Sequence, residues 1–198
     1  MIGSAALANR YFLLRHGESY ANREGVIVSL PAHGLSAYGL TPRGHEQVAT
    51  SVERARHDGT LPAVDLIVSS PFLRTVQSAE IAAGVFGVPI ETDDRLSERA
   101  FGDLERTSDA RYADVWARDR QDPSHGDWGV ESTAAVLRRA SDLIQHLEAR
   151  GPDRAILLCT HGDVASILAC GLLGQDLRCH REVAALGVGE VRRLLRGA

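Results

Sequence analysis

Two segments of this chain place a histidine directly after an apolar run. The first run ends in Arg15-His16-Gly17, and the second ends in His161-Gly162. A neutral imidazole is a nucleophile, and the planar fork of an arginine suits the oxygens of a phosphate. A glycine next to the histidine lets the backbone approach whatever that histidine contacts. The pattern therefore predicts a phosphate site whose chemistry is carried by histidine.

Further residues of the same chemistry lie between these two segments. Ser70-Pro71 predicts the start of a helix, with a capping hydroxyl followed by proline at the first position. Arg74 would lie one turn into that helix, where its guanidinium adds to the positive amino end in attracting an anion. Glu98, in a loop-like stretch, supplies a carboxylic acid. Two histidines, two arginines and one acid are the groups needed for phosphoryl transfer through a phosphohistidine.

The elements that must position these residues follow from the apolar patterns. Predicted strands cover residues 11–14, 65–69, 88–92 and 154–160, with late candidates at 183–186 and 191–195. Predicted helices cover residues 42–57, 71–83, 108–118 and 131–150, with Gly84 ending the second, and residues 119–129 are interpreted as a polar loop. Strands that alternate with helices favour an α/β fold with both sheet faces covered. Since ligands of such sheets bind outside the carboxyl ends of strands, both histidines are expected at one edge.

Five stretches of the chain carry additional residues in set patterns. They are Leu14-Arg15-His16-Gly17-Glu18-Ser19 with Asn22; Gly39-Leu40-Thr41-Pro42-Arg43-Gly44 with Gln47; Ser69-Ser70-Pro71 with Arg74-Thr75 and Ser78-Ala79; Leu96-x-Glu98-Arg99-x-Phe101-Gly102; and Thr160-His161-Gly162. In this order they resemble the motifs of the histidine phosphatase superfamily, in the branch that includes cofactor-dependent phosphoglycerate mutase. An ordered set is far more specific than one short motif. The resemblance implies a three-layer α/β/α sandwich with a mostly parallel central sheet, forming one domain over residues 1–198.

The resemblance also implies a role for individual residues. His16 would be the nucleophile that becomes phosphorylated, and the phosphoryl oxygens would be held by Arg15, Arg74 and His161. Glu98 would protonate the leaving alkoxide and then deprotonate the attacking water. Additional substrate contacts are expected from Asn22, Gly162, Arg99 and Ser29. Several acids lie near Glu98, so a neighbouring carboxylate remains an alternative acid, whereas Asp163 is interpreted as structural because it suits a helix amino end.

Composition limits the class of protein. The 198 residues, 44% of them hydrophobic, suffice for one α/β core, and the net charge of −4 argues against nucleic acid as a partner. Three cysteines without Cys-x-x-Cys spacing predict reduced thiols in a cytoplasmic protein. The histidines lack zinc-ligand spacing and no apolar run reaches membrane-spanning length. We therefore expect no metal, no cofactor and no membrane partner.

The leading functional hypothesis is a metal-independent phosphatase that hydrolyses a small phosphorylated metabolite through a phosphohistidine on His16. Segments around residues 26–38 and 101–128 would wall the pocket and set its specificity. The chain departs from the mutases, which have a tryptophan where it has Ala21 and a glycine-leucine-asparagine-lysine run that is absent after Leu104. A mutase is the alternative enzyme, and a phosphate-binding module without turnover is the alternative outside enzymes. The substrate and the oligomeric state, including a homodimer, remain open.

Overall fold

A five-stranded sheet runs through the centre of the computed structural model, which describes residues 7–183 and 185–194. The strands are β1 (Arg10–Arg15), β2 (Leu66–Ser69), β3 (Ile90–Thr92), β4 (Ala155–Thr160) and β5 (Val191–Arg193). Their order is β3-β2-β4-β1-β5, with β5 antiparallel to β1 and the other pairs parallel. The central strands β2 and β4 are buried along their whole length, as expected for strands covered on both faces.

Helices cover both faces of this sheet. In chain order the α-helices of the described residues are α1 (Tyr20–Glu24), α2 (Pro31–Gly34), α3 (Pro42–His57), α4 (Leu73–Phe86), α5 (Tyr112–Asp119), α6 (Thr133–Glu148) and α7 (Gly162–Leu172). Successive side chains of β1 alternate, so that Tyr11 and Leu13 pack with α6 and α7, while Phe12 and Leu14 pack with α3 and α4. The expected three-layer α/β/α sandwich is therefore confirmed. No helix among the described residues is long and apolar enough to cross a membrane.

The register of β1 and β4 brings the two histidine segments together. Arg15 at the end of β1 pairs with Thr160 at the end of β4, and the amide of His16 donates to the carbonyl of Thr160 at 3.2 Å. His161 directly follows Thr160 and precedes α7. Both histidines therefore lie at the carboxyl ends of adjacent parallel strands, as predicted.

The boundaries of α4 differ from the prediction. The helix begins after Phe72, which has no side-chain cap, and the hydroxyl of Ser70 instead contacts His161. It also continues through Gly84 to Phe86, and it is capped by Gly87, whose φ of 69° lies in the left-handed region that favours glycine at a helix end. The prediction that Gly84 ends the helix was wrong.

Other elements are close to their predicted positions. Thr41 caps α3 as expected, and five 3-10 helices supplement the α-helices of the described residues: Asp94–Leu96, Gly102–Leu104, Asp109–Arg111, Asp127–Gly129 and Leu177–Cys179. The predicted strand at residues 183–186 is wrong for the positions that the structure describes, because Val183 and Leu186 lie outside any strand. Ala184 and Leu195, the end of the other late strand candidate, lie outside the described residues.

Candidate active site

A cavity of about 180 Å³ lies at the carboxyl ends of β1 and β4. Among the residues that line it are six predicted from the sequence: Arg15, His16, Asn22, Arg74, Glu98 and Gly162. Its apolar walls come from the segments expected to cover the pocket, through Val26, Val28, Phe101, Tyr112 and Trp116. A separate small core of Ile27, Phe101, Leu104, Val115 and Val130 holds these segments together.

The ring of His16 is held in one tautomer. Its Nδ1 lies 2.8 Å from the carbonyl of Gly17, which only accepts hydrogen bonds, so Nδ1 carries the proton. Its Nε2 accepts from Nε of Arg74 at 3.1 Å. Burial lowers the pKa of His16 well below its usual range, and the charges of Arg74 and Arg15 lower it further. The ring is therefore neutral, with the lone pair of Nε2 directed to the arginine side of the cavity.

His161 lies behind Arg74 and is fully buried. Its Nδ1 accepts from Nη2 of Arg74 at 3.0 Å, which leaves Nε2 to donate to the hydroxyl of Ser70 at 2.9 Å. Burial and then the charge of Arg74 lower the pKa of His161. In this structure His161 positions Arg74, and its direct contact with a phosphoryl oxygen remains a prediction.

Two buried arginine nitrogens have no hydrogen-bond partner among the described residues, namely Nε of Arg15 and Nη1 of Arg74. Other atoms of each guanidinium are fixed, because Arg15 donates to the carbonyl of Leu186 at 2.9 Å and Arg74 donates to that of Val28 at 3.0 Å. Buried donors almost always have a partner. A phosphoryl group in the cavity would supply acceptors for both.

Gly162 and Asn22 both line the cavity, and their contacts with a bound phosphate remain a prediction. A Cβ at Gly162 would lie 3.1 Å from the guanidinium carbon of Arg15, so a glycine lets that group come close. The amide oxygen of Asn22 accepts from the backbone and hydroxyl of Ser19 at 3.0 and 2.9 Å in the cap of α1. Its amide nitrogen therefore remains available to the cavity.

Glu98 faces both Arg74 and His161, with its Oε2 3.6 Å from Nη2 of the arginine and 3.6 Å from Nδ1 of the histidine. Its other oxygen accepts from the amide of Arg99 at 3.0 Å. Burial raises the pKa of Glu98 to about 7, although the charge of Arg74 opposes this shift. A carboxyl group with this pKa suits proton transfer near neutral pH.

Two of the predicted substrate contacts do not reach the cavity. The hydroxyl of Ser29 donates to Glu105 at 2.6 Å and accepts from the amide of Phe101. It therefore links the two segments that wall the cavity. The fully buried guanidinium of Arg99 donates to both oxygens of Asp119 at 2.7 and 2.8 Å. These carboxylates hold both side chains outside the lining of the cavity, and a contact of either with the substrate stays a prediction.

Two charged residues that sequence reasoning did not place in the cavity also belong to its lining. They are Asp163, at the start of α7, and Arg181, in the segment that follows α7. Trp116 donates from its indole nitrogen to Asp163 at 3.0 Å, which agrees with the interpretation of that acid as structural. Contacts between segments so distant in sequence leave no local signal in the chain.

Comparison with known proteins identifies the class to which this fold and site belong. The sequence model of the histidine phosphatase superfamily (branch 1) matches residues 11–194. A probable phosphoglycerate mutase of Enterobacter sp. (strain 638) is 31% identical over 182 residues, covering 87% of this chain and 78% of the relative. The adenosylcobalamin/alpha-ribazole phosphatase of Escherichia coli (strain K12) is 29% identical over 174 residues, covering 83% and 79%.

Solved structures show the same fold. A mycobacterial glucosyl-3-phosphoglycerate phosphatase in complex with VO3 superposes with a TM-score of 0.76 at 24% identity, covering 96% of this chain and 100% of that chain. Because the sequence model of the family matches residues 11–194, the chain belongs to the histidine phosphatase superfamily, branch 1. The resemblance seen in the motifs is confirmed at the level of the family.

Proposed function

We propose that this protein is a metal-independent phosphomonoesterase that hydrolyses a small phosphorylated metabolite through a phosphohistidine at Nε2 of His16. The observation that carries the proposal is the arrangement of His16, Arg74 and Glu98, in which a neutral nucleophile, a buried cation and an acid with a pKa of about 7 face one cavity. Family membership and relatives named as phosphatases support an enzyme of this type.

In the first step the lone pair of His16 attacks phosphorus. Arg74 now donates to that lone pair, so this hydrogen bond must open and the arginine must turn to the phosphoryl oxygens. As the nitrogen–phosphorus bond forms, the ester oxygen–phosphorus bond breaks, and Glu98 gives its proton to the leaving alkoxide. Preorganised arginines stabilise the charge spread over the phosphoryl oxygens.

In the second step water attacks the phosphohistidine. Glu98, now a carboxylate, takes a proton from that water while the oxygen–phosphorus bond forms. The nitrogen–phosphorus bond breaks, its electron pair returns to His16, and inorganic phosphate leaves. Both proton transfers use one carboxyl group, so a pKa near the working pH favours the whole cycle.

The size of the cavity supports a small substrate. Its volume of about 180 Å³ is below the roughly 300–1,000 Å³ of pockets that enclose drug-sized ligands. The cavity therefore encloses a phosphoryl group and only a short leaving group.

A cytoplasmic location is part of the same proposal, and it is supported by Cys159, Cys170 and Cys179, which are free thiols.

The central test is the phosphoenzyme. Rapid quenching of the wild type during turnover of p-nitrophenyl phosphate should yield an acid-labile, base-stable phosphoryl group on His16. We expect His16→Ala to lower kcat by on the order of 10³-fold or more, because the nucleophile is removed. His57→Ala is the matched control, since His57 is exposed at the end of α3. A phosphoryl group on serine or cysteine, or full activity of His16→Ala, would disprove the proposal.

Two further measurements separate the alternatives. Activity is expected to persist in excess chelator, because in this proposal arginines and histidines stabilise the charge on the phosphoryl oxygens, which metal ions stabilise in other phosphatases. Phosphate release from 3-phosphoglycerate without a bisphosphorylated primer supports hydrolysis. Interconversion of phosphoglycerate isomers that depends on the primer would instead support the mutase.

A further inference from the structure

Arg181 lines the cavity from the segment that follows α7. Its guanidinium carbon lies 3.8 Å from the ring centroid of Trp116, and its Nη1 donates to Asp163 at 3.2 Å. These contacts tie together α5, the start of α7 and the chain beyond it. Neither of them involves His16, Arg74 or Glu98, so the chemistry described above does not account for this cation.

Most donors of Arg181 are unused within the part of the chain that the structure describes. A guanidinium has five N–H groups, and the contact with Asp163 uses one of them. Asp163 holds Arg181 through a single oxygen, which also accepts from Trp116, while its other oxygen accepts from Arg99 at 3.2 Å. The guanidinium of Arg181 therefore retains a pair of adjacent N–H donors within the described residues, and such a pair can bind an anion through two parallel hydrogen bonds.

Arg181 is also restrained before any ligand arrives. Stacking on Trp116 fixes the plane of the guanidinium, Asp163 fixes its position, and 23% of the side chain remains exposed. A preorganised arginine loses less conformational entropy on binding than a mobile surface arginine does. These are the properties of a recognition residue.

We propose that Arg181 binds a second anionic group of the substrate, a carboxylate or a second phosphate, while Arg15 and Arg74 bind the phosphoryl group that is transferred. The proposal rests on the proposed function and specifies its substrate class: small phosphomonoesters that carry another anion a few bonds from the ester oxygen. The limited cavity volume requires that this separation be short.

Matched substrate pairs test the proposal. 3-Phosphoglycerate and glycerol 3-phosphate differ by a carboxylate, and propane-1,3-diol bisphosphate and its monophosphate differ by a second phosphate. The wild type should prefer the doubly anionic member of at least one pair, and the responsive pair identifies the anion. The preference is the kcat/KM of the doubly anionic member divided by that of its singly anionic partner. Because hydrogen bonds to charged groups are comparatively strong, Arg181→Gln should lower this ratio by about 10- to 100-fold, mainly through KM.

Arg178→Gln is the matched control, because Arg178 belongs to the same segment but forms an exposed pair with Asp176. Its preference ratio should equal that of the wild type. Arg181→Lys, which retains the charge without the fork, should recover part of the preference. An equal loss on both members of each pair, or the same loss in Arg178→Gln, would overturn the proposal in favour of a structural role or a long-range field.

The test of Arg181 can fail without contradicting the proposed phosphatase activity, because the two proposals have different readouts. Turnover of p-nitrophenyl phosphate, with a phosphoryl group trapped on His16, reports the phosphatase itself and needs no second anion. A wild type that turns over the aryl ester without preference within either substrate pair would refute the role of Arg181 and leave the phosphatase standing.

Discussion

Burial acts in opposite directions on the pKa values of the proposed nucleophile, His16, and the proposed acid, Glu98. It lowers the pKa of His16 and raises that of Glu98 to about 7, because desolvation disfavours the charged form of each group. Near neutral pH the histidine is therefore unprotonated, and a large fraction of the glutamic acid is protonated. One physical effect thus favours the protonation state that the proposed mechanism requires of each residue.

The role of Glu98 predicts a dependence on the leaving group. Glu98→Gln removes the transferable proton, so alkyl phosphates should be hydrolysed about 10²- to 10⁴-fold more slowly, while p-nitrophenyl phosphate, whose leaving group needs no proton, should be affected much less. Glu91→Gln is the control, since Glu91 pairs with Arg150 at the surface. Comparing kcat/KM for both ester classes measures the effect, and equal slowing of both would make Glu98 a binding residue.

The pKa of Glu98 also predicts the pH profile. The first step needs protonated Glu98, so kcat/KM for an alkyl phosphate should be high below the pKa and should fall as the pH rises through about 7. His16 titrates at lower pH, because its pKa is depressed, and it does not limit activity in this range. The descending limb should be missing from the profile of Glu98→Gln. Retention of that limb in the variant would assign it to another group.

At the scale of elements, the start of α3 is packed closely against the loop that carries His16. A Cβ at Gly44 would lie 2.0 Å from the carbonyl oxygen of Glu18, and one at Gly17 would lie 2.2 Å from the carbonyl oxygen of Gly44. Both neighbours are backbone atoms, which cannot move aside as the end of a side chain can. The absence of a side chain at both glycines thus lets the start of α3 pack directly against the loop that carries His16.

This contact predicts opposite effects of one substitution at two helical glycines. Gly44→Ala should destabilise the protein by about 1–3 kcal/mol, because overpacking against backbone exceeds the helix propensity of alanine. Gly84→Ala, at an exposed position of α4 with nothing near its Cβ, should instead stabilise by about 0.5–1 kcal/mol. Urea unfolding measures both changes, and stabilisation by Gly44→Ala would show that the loop adjusts at little cost.

Sequence predicted elements best where a local signal and the packing agree. Thr41-Pro42 marks the start of α3 correctly, because the capping hydroxyl and the proline act within one turn. The prediction that a helix ends at Gly84 is wrong, because a lone glycine costs a helix only about 1 kcal/mol and the packing of neighbouring turns outweighs that cost. The predicted ends of β1 and β4 agree with the structure, which brings Arg15, His16 and Gly162 to one cavity.

At the scale of the whole molecule, a buried charged cluster joins segments that are far apart in sequence. Asp119 binds Arg99 through two hydrogen bonds and accepts from His125 at 3.0 Å, while Arg99 also contacts Asp163 beside the cavity. The sequence alone predicts a polar loop for residues 119–129. Pairing across 20 and 64 positions depends on the complete fold, so no local pattern revealed it.

This cluster predicts that Asp119 stabilises the fold far more than an exposed acid does. Asp119→Asn leaves the buried guanidinium of Arg99 without its main counter-charge, and breaking such a pair typically costs about 3–5 kcal/mol. Asp176→Asn, which breaks the exposed pair with Arg178, is the control and should have a much smaller effect. Urea unfolding at neutral pH gives both free energies.

Asp119→Asn should also lower kcat for alkyl phosphates. Asp119 holds the side chain of Arg99, and the backbone amide of Arg99 donates to the carboxyl group of Glu98. Equal small losses of stability in the two variants would mean that Asp163 alone satisfies Arg99. Loss of stability without loss of kcat would show that the cluster supports the walls of the cavity but does not position the acid.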